Sequence, residues 1–219
     1  MTEKSTRDRI LDAAERLFSE HGGENGVSMR ELAAGAEVKL SLLSYHFGGK
    51  GDLYRAVFAR RASELAEARD EALTKVMENP SAGIEDLVEA FLRPSIAMRY
   101  ASDRQGAAFA LLTTFEASDP REAERGILAQ HYDPTALRFL AALSQLYPNA
   151  TRQAATEAYL FMTGALVMSL VSGSRFTRLG SHEMNPEQPS DIDALTRQLI
   201  RFRAGGTNAI LSVKYPAGE

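Results

Sequence analysis

The chain contains no cysteine among its 219 residues, which excludes disulfide bonds and thiolate metal sites and is compatible with a reducing compartment. It has no uninterrupted apolar run approaching the roughly 18 residues that a membrane-spanning helix requires. Residues 1–9 are charged and lack the apolar core of a signal peptide. With 44% hydrophobic and 25% charged residues, the composition predicts a folded cytoplasmic protein that does not enter a membrane.

The usual sequence patterns of catalysis are also missing. There is no His-x-x-x-His, no Gly-x-Ser-x-Gly and no phosphate-binding loop. The four histidines, His21, His46, His131 and His182, are far apart in the sequence. Carboxylates alternate with arginines, as in residues 121–125, which is typical of a solvated helix surface. We therefore expect no enzymatic activity, no cofactor and no metal site.

Positive charge is scarce, since the chain has a formal net charge of −4. The distribution is uneven: residues 1–62 carry ten Lys/Arg and nine Asp/Glu, a net charge of +1, which leaves −5 for the remainder. If the N-terminal segment binds nucleic acid, its affinity must depend on the placement of a few cations. We expect such binding to be strongly salt-dependent.

Residues 28–53 form the most informative segment. Ser28 is a favourable N-cap, and Glu31 three residues later completes a capping-box pattern. Apolar residues then follow with helical spacing on both sides of residues 34–37, which are too few for anything but a turn. Two short helices on such a turn indicate a helix-turn-helix, with residues 39–46 as the recognition helix in the major groove of DNA.

The pattern divides the candidate DNA contacts into two groups. Leu40, Ser41 and Ser44 would face the bases, and phosphate contacts are expected from Arg30, Lys39, Tyr45, His46 and Lys50. Ser28 is included as a further DNA-binding candidate at the start of the motif. The alternative is plain helix packing, in which Leu42, Leu43 and Phe47 belong to the core and His46 is a solvated helix end.

The same residues resemble the TetR family of transcriptional regulators. The resemblance covers residues 7–61, roughly the first quarter of the chain. It rests on the opening helix at 10–18, His21-Gly22, Ser28–Ala33, Ala36–Val38, Leu43–Phe47, Gly49-Lys50 and Asp52-Leu53. It implies backbone contacts at the five phosphate candidates and base contacts at Leu40, Ser41 and Ser44. Three residues depart from the family pattern: Glu37 replaces a usual turn glycine, Leu40 a frequent polar residue and Ser44 a frequent tyrosine.

The remaining sequence predicts helices and no strands. The boundaries indicated by caps and prolines are 50–77, 81–100 with Pro94 as a kink, 102–117, 120–146 with a break or bend at 133–134, 149–172 and 190–204. Residues 174–189 are predicted to be a loop, and Gly205-Gly206 to end or bend the final helix. We predict an all-α protein with an N-terminal three-helix helix-turn-helix DNA-binding domain at 1–52, a larger helical ligand-binding and dimerisation domain at 53–205, and a mobile tail at 206–219.

The helix at 155–170 is apolar on two faces, which indicates that both faces are buried. One face carries Tyr159, Met162, Leu166 and Leu170. The second face consists of Ala158, Phe161, Gly164, Ala165 and Met168, and these are the candidate dimer contacts. A central core helix is the alternative. The family resemblance favours a homodimer, because TetR-like proteins pair their last two helices.

Aromatic residues and methionines are concentrated in the middle helices, with few polar groups among them. The candidate ligand pocket comprises Phe91, Met98, Arg99, Phe109, Phe115, His131, Phe139, Tyr159 and Met162. The alternative for each residue is ordinary core packing. We expect a DNA-binding repressor that a small apolar or aromatic effector releases from a double-stranded DNA operator. The competing hypotheses are an effector-independent DNA-binding regulator and, more remotely, a helical small-molecule-binding or enzymatic module with an incidental helix-turn-helix.

Overall fold

The structure, a computed structural model, describes residues 5–180 and 189–212. All regular secondary structure in these two ranges is helical, which confirms the predicted all-α fold. The helices are α1 (Thr6–Glu20), α2 (Met29–Gly35), α3 (Leu40–Phe47), α4 (Lys50–Met77), α5 (Ile84–Arg99), α6 (Arg104–Ser118), α7 (Glu122–Arg125), α8 (Ile127–His131), α9 (Asp133–Leu146), α10 (Arg152–Val171), α11 (Gly173–Gly180) and α12 (Pro189–Leu211). A short 3₁₀ turn at Glu24–Gly26 follows α1.

The helices form two compact units that do not follow chain order. The first unit contains the described residues up to Glu64 together with Ala101–His131, so that α6, α7 and α8 join α1 to α3 and the first half of α4. The second unit contains the rest of α4, α5 and the described residues from Tyr132 onward. A division of the sequence at residue 52 therefore differs from the packing, in which 101–131 accompanies the N-terminal helices.

The local geometry of α2 and α3 follows from their capping residues. The Ser28 hydroxyl accepts the Glu31 N–H at 3.3 Å, and the Glu31 carboxylate accepts the Ser28 N–H at 2.7 Å, which forms the predicted capping box. The turn to α3 is closed by backbone bonds from Glu37 to Ala34 and from Val38 to Ala33, each 3.0 Å. Glu37 adopts a φ of 55°, in the left-handed region that favours glycine.

An aromatic chain forms the core of the first unit. The rings of Phe18 and Tyr54 lie 5.0 Å apart, Tyr54 and Phe58 5.2 Å, and Phe58 and Phe109 5.4 Å. All four side chains are buried. The four rings come from α1, α4 and α6 and so join these three helices. Burial of aromatic rings is among the largest apolar contributions that side chains make to stability. This packing holds α1, against which α2 packs, and α2 in turn contacts α3.

The second unit is built around α10. Its buried face, which includes Ala154, Ala158 and Met162, contributes to a core shared with α5, α9 and α12. By length and composition, α10 also meets the test for a membrane-spanning helix, so the expectation that no segment would do so is wrong. A core helix of a soluble protein passes the same test, and one face of α10 is indeed buried here.

Some helix boundaries differ from those predicted. Residues 173–180 form α11, where a loop was expected, and α12 continues through Gly205-Gly206 to Leu211. The buried side chains of Thr207 and Leu211 lie beyond the glycines and explain why the helix continues. Pro120 precedes α7 by two residues instead of opening it, and α5 begins at Ile84. The rest of the predicted loop, 181–188, and the end of the predicted tail, 213–219, lie outside the described residues.

Candidate nucleic-acid interface, dimer face and ligand region

Helix α3 presents most of its predicted recognition residues to solvent. Tyr45 is 82% exposed and Leu40 41% exposed, and Ser41 and Ser44 are exposed between them. On the opposite face, Leu43 is fully buried, as is most of Phe47. A helix that is anchored by one apolar stripe leaves the remaining face available for contact with a groove.

The residues predicted to contact phosphates differ in the exposure of their side chains and in the hydrogen bonds that they already make. Arg30 and Lys39 are exposed, and Lys39 is the N-cap residue of α3. His46 is half-buried, with its ring 5.4 Å from that of Tyr45. Lys50 is half-buried, and its Nζ donates to the Val27 carbonyl at 3.2 Å. Lys50 therefore also holds the segment before α2, a role that its sequence position did not suggest. Ser28 is likewise engaged, as the N-cap of α2.

The structure adds residues from α1 to this surface. Arg9 donates from Nη2 to the Ala36 carbonyl at 3.1 Å, at the turn between α2 and α3. A shallow depression beside α3 is lined by Thr6, Arg9, Glu37, Val38, Lys39, Ser41, Leu42 and Tyr45. The Glu37 side chain is 86% exposed there and lies 3.9 Å from Arg9. Sequence reasoning missed Thr6 and Arg9, and the basic first turn of α1 was the only signal that pointed to them.

A buried polar cluster stabilises the first unit behind this surface. Arg125 Nε donates to the Glu116 carboxylate at 2.9 Å, and its Nη2 lies 2.9 Å from Asp119. Glu116 is completely buried, and burial raises its pKa against the opposing effect of Arg125. Tyr54 hydrogen-bonds to Glu116, and burial raises the pKa of its phenol as well. The cluster ties α4, α6 and α7 together.

The candidate dimer residues lie on α10 but do not share one environment. Phe161 is 64% exposed and Met168 61%, Gly164 is exposed and Ala165 is half-buried. Ala158 is instead buried within the unit's own core. Further exposed apolar side chains are Leu160 and Val171 on α10 and Phe202 on α12. We call the set of Leu160, Phe161, Gly164, Met168, Val171 and Phe202 the apolar face.

The candidate pocket residues are divided between the two units. Phe109, Phe115 and His131 belong to the first unit, where burial lowers the pKa of His131. The other six belong to the second unit. There the Phe91 ring contacts the rings of Phe139 and Tyr159, each at 5.4 Å between centroids. Arg99, the cation expected to face a ligand, is half-buried and lies 5.5 Å from the Tyr100 ring.

Two arginines that the sequence did not single out lie in the second unit, and of these Arg203 is buried and Arg69 is half-buried. Arg203 on α12 is only 3% exposed. Arg69 on α4 donates from Nη2 to Ser95 Oγ at 2.7 Å, and its guanidinium lies 4.3 Å from the Phe91 ring centroid. Burial lowers the pKa of both groups. Among the residues that the structure describes, no group of three or more His, Cys, Asp or Glu is arranged to hold a metal ion.

Two family models match successive parts of the chain. Residues 10–57 match the model described as "Bacterial regulatory proteins, tetR family", and residues 89–206 match "Tetracyclin repressor-like, C-terminal domain". The second match alone spans more than half of the chain.

Curated relatives match over a limited stretch. The probable HTH-type transcriptional regulator YttP of Bacillus subtilis is 36% identical over 77 residues, which are 35% of each chain. The HTH-type transcriptional repressor AcnR of Corynebacterium glutamicum is 35% identical over 74 residues, 33% of this chain and 39% of the relative. The chain thus spans under half the length of these relatives. The fold is similar to that of the fatty acid degradation regulator FadR from Bacillus halodurans, with a TM-score of 0.57, 15% identity and coverage of 94% and 98%.

Proposed function

The chain belongs to the TetR family of transcriptional regulators, and from this premise we propose that it binds a specific double-stranded DNA operator as a homodimer and represses transcription until a small effector binds. The exposed face of α3 is the observation that carries the proposal. Tyr45, Ser41 and Ser44 project from a helix whose opposite side is anchored in the core.

In this proposal the residues of α3 have separate tasks. Ser41 and Ser44 carry hydroxyl groups that can donate to or accept from base edges, and Leu40 offers a methyl contact to thymine. Lys39 and Arg30 are exposed cations for phosphates, and Tyr45 and His46 add contacts from the end of the helix. Phosphate contacts set affinity and register, whereas base contacts set sequence preference.

The apolar face supports the homodimer. Phe161, Met168 and Phe202 are each more than half exposed, which is unusual for side chains of this size on a solvent-facing helix. Gly164 lies among them, and the space beside its Cα is open, since a Cβ added there would meet no atom within 4 Å. A second copy of the chain would cover this face through two-fold symmetry, in which each patch contacts its own equivalent. Dimers of this kind place recognition helices about 34–36 Å apart, on successive major grooves.

Release by an effector requires a ligand that prefers the conformation unable to bind DNA. The ligand shifts the equilibrium by its difference in affinity for the two conformations. Helix α4 is continuous from Lys50 to Met77 and contributes residues to both compact units. It therefore provides a continuous path between a ligand region in the second unit and the DNA-binding helices.

The test is to select genomic DNA fragments with the purified full chain, sequence them and measure affinity for the recovered site by fluorescence anisotropy. We expect a palindromic motif. Tyr45→Ala should weaken binding to all fragments, whereas Ser44→Ala should change the recovered sequence. Lys75→Ala, which removes an exposed cation from the second unit, serves as the control and should bind normally. Recovery of no enriched sequence, or equal affinity of Tyr45→Ala and the wild type, would count against the proposal.

A further inference from the structure

The second unit contains a buried positive charge that is not paired with any carboxylate among its described residues. All three guanidinium nitrogens of Arg203 are buried without a hydrogen-bond partner. Nε of Arg69 is buried and unpartnered in the same way, although its Nη2 bonds to Ser95. Burying a charge without a partner costs several kcal/mol, so proteins seldom keep one that has no role.

The two arginines belong to the same unit, and their like charges oppose each other. Burial, with a further contribution from Arg69, lowers the pKa of Arg203 to about 10. Arg203 therefore remains protonated at neutral pH. Two like charges in one core increase the need for an anion, and each guanidinium offers a planar fork of donors that matches a carboxylate.

Three carboxylates in the described part of the second unit are engaged with other partners. Asp70 lies 2.8 Å from Arg138, and Asp86 accepts the Gly83 N–H at 2.7 Å. Glu89 accepts from Arg93 at 2.6 Å. Over residues 65–100 and the described residues after 131, no ion pair joins a carboxylate to Arg69 or Arg203. The described residues of the second unit therefore show no carboxylate paired with either guanidinium.

We propose that the second unit binds an anionic amphiphile, namely a carboxylate attached to an apolar or aromatic body, and that Arg203 and Arg69 hold the carboxylate. This inference rests on the proposed function, because it specifies the chemical class of the effector. Arg203 thereby replaces Arg99 as the main anchoring cation, because Arg203 is buried whereas Arg99, at the end of α5, is half-buried.

The apolar body is inferred from what surrounds Arg69. Its guanidinium lies against the Phe91 ring, which in turn contacts Phe139 and Tyr159. Met162 is buried in the same core. An inorganic anion would satisfy the charge but would gain nothing from these aromatic and thioether groups. A ligand with both parts gains from ion pairing and from apolar burial.

The test uses pairs of probes that differ only in charge. The thermal stability of the full chain is measured with octanoate and octanamide, with 4-phenylbutyrate and its amide, and with inorganic phosphate. We expect each carboxylate near a hundredfold excess over its Kd to raise the melting temperature by about 5–10 °C. The neutral amides and phosphate should have little effect. Equal shifts for acid and amide would overturn the proposal, and a phosphate shift as large as that of octanoate would overturn the amphiphile class.

Variants of the arginines give a second, independent signature. Arg203→Met should raise the melting temperature without ligand, because it removes an unpaired buried charge, and should abolish the shift caused by octanoate. Arg152→Met removes an exposed arginine on α10 and should change neither quantity. If Arg203→Met does not fold, the thermal shifts of the wild type with each acid and its amide still test whether the site binds a carboxylate. An undiminished octanoate shift in Arg203→Met contradicts the assignment.

The test also separates this inference from the proposed function. If octanoate stabilises the protein but does not release a selected DNA fragment, the anion site is supported and the effector role is not. If no DNA sequence is selected at all, the proposed function fails, and the thermal shifts still decide whether the site binds a carboxylate.

Discussion

Replacing Glu37 by glycine should stabilise the helix-turn-helix. Glu37 has a φ of 55° and is the only non-glycine residue with positive φ in the part of the chain that the structure describes. In this conformation a Cβ lies close to the following carbonyl oxygen, which costs about 1–2 kcal/mol for most residues. Glycine has no Cβ and avoids this cost. The resemblance to TetR regulators implies a glycine here, so the substitution restores the common residue.

Two effects oppose the gain. Glycine gives the unfolded chain more freedom, which costs about 0.4–1 kcal/mol. The substitution also removes an ion pair with Arg9, but the pair spans 3.9 Å and both side chains are largely exposed, so it contributes well under 1 kcal/mol. The net stabilisation should be about 0.5–1 kcal/mol, which corresponds to a rise of about 1–4 °C in melting temperature for a chain of this size.

Glu37→Ala is the matched control, because it removes the same charge but keeps a Cβ. It should be no more stable than the wild type, and about 1 kcal/mol less stable than Glu37→Gly. Urea titration monitored by circular dichroism measures both variants. Equal stability of the two variants would refute the conformational argument. Because Glu37 lies beside α3, both variants should also bind DNA more tightly than the wild type, and by equal factors, since both remove the same negative charge.

The remaining predictions concern binding, assembly and stability. Lys39→Ala should weaken binding to all DNA sequences and lower the salt dependence of log K by about one, as measured by anisotropy at several salt concentrations; an unchanged slope would remove Lys39 from the interface. Gly164→Glu should give monomers in sedimentation equilibrium and lose operator binding, whereas Gly164→Ala should remain dimeric; a wild-type monomer at micromolar concentration would contradict the assembly. Glu116→Ala should destabilise the first unit by about 1.5–3 kcal/mol, because it removes the most buried partner of Arg125, which keeps its pair with Asp119; a melting temperature within 2 °C of the wild type, roughly 1 kcal/mol or less, would show that the cluster contributes little.

The helix-turn-helix could be predicted from local signals because its caps and turn lie within a few residues. The Ser28–Glu31 box forms as expected, and α3 begins at Leu40, directly after Lys39. The limits of α4, Lys50 and Met77, are also those predicted, since Asn79-Pro80 provides a stop signal. These elements depend little on distant parts of the chain. The exposed face of α3 follows from the same periodicity.

Predictions that depended on tertiary packing were less accurate. Gly205-Gly206 suggested a helix end, since each glycine costs about 1 kcal/mol in a helix. The helix nevertheless continues, because burial of Leu211 alone stabilises it by about 1.5–3 kcal/mol. The aromatic residues proposed as one pocket belong to two units for a similar reason. Their spacing shows that each faces a core, but it does not show which core, and α6 packs with the N-terminal helices.

The burial of the Arg69 and Arg203 guanidinium groups could not be predicted from the sequence. Arg69 stands in the charged stretch Glu-Ala-Arg-Asp-Glu, and Arg203 follows Arg201 with one residue between them, so both resemble solvated helix positions. Only the packing of α4 and α12 reveals that their guanidinium groups are desolvated. Arg201, by contrast, is exposed, although it lies two residues from Arg203 on the same helix. A step of two residues turns an α-helix by about 200° and therefore carries a side chain from solvent to the core. The proposed effector class thus depends on how the helices are rotated within the folded unit, a property that composition and motifs do not encode.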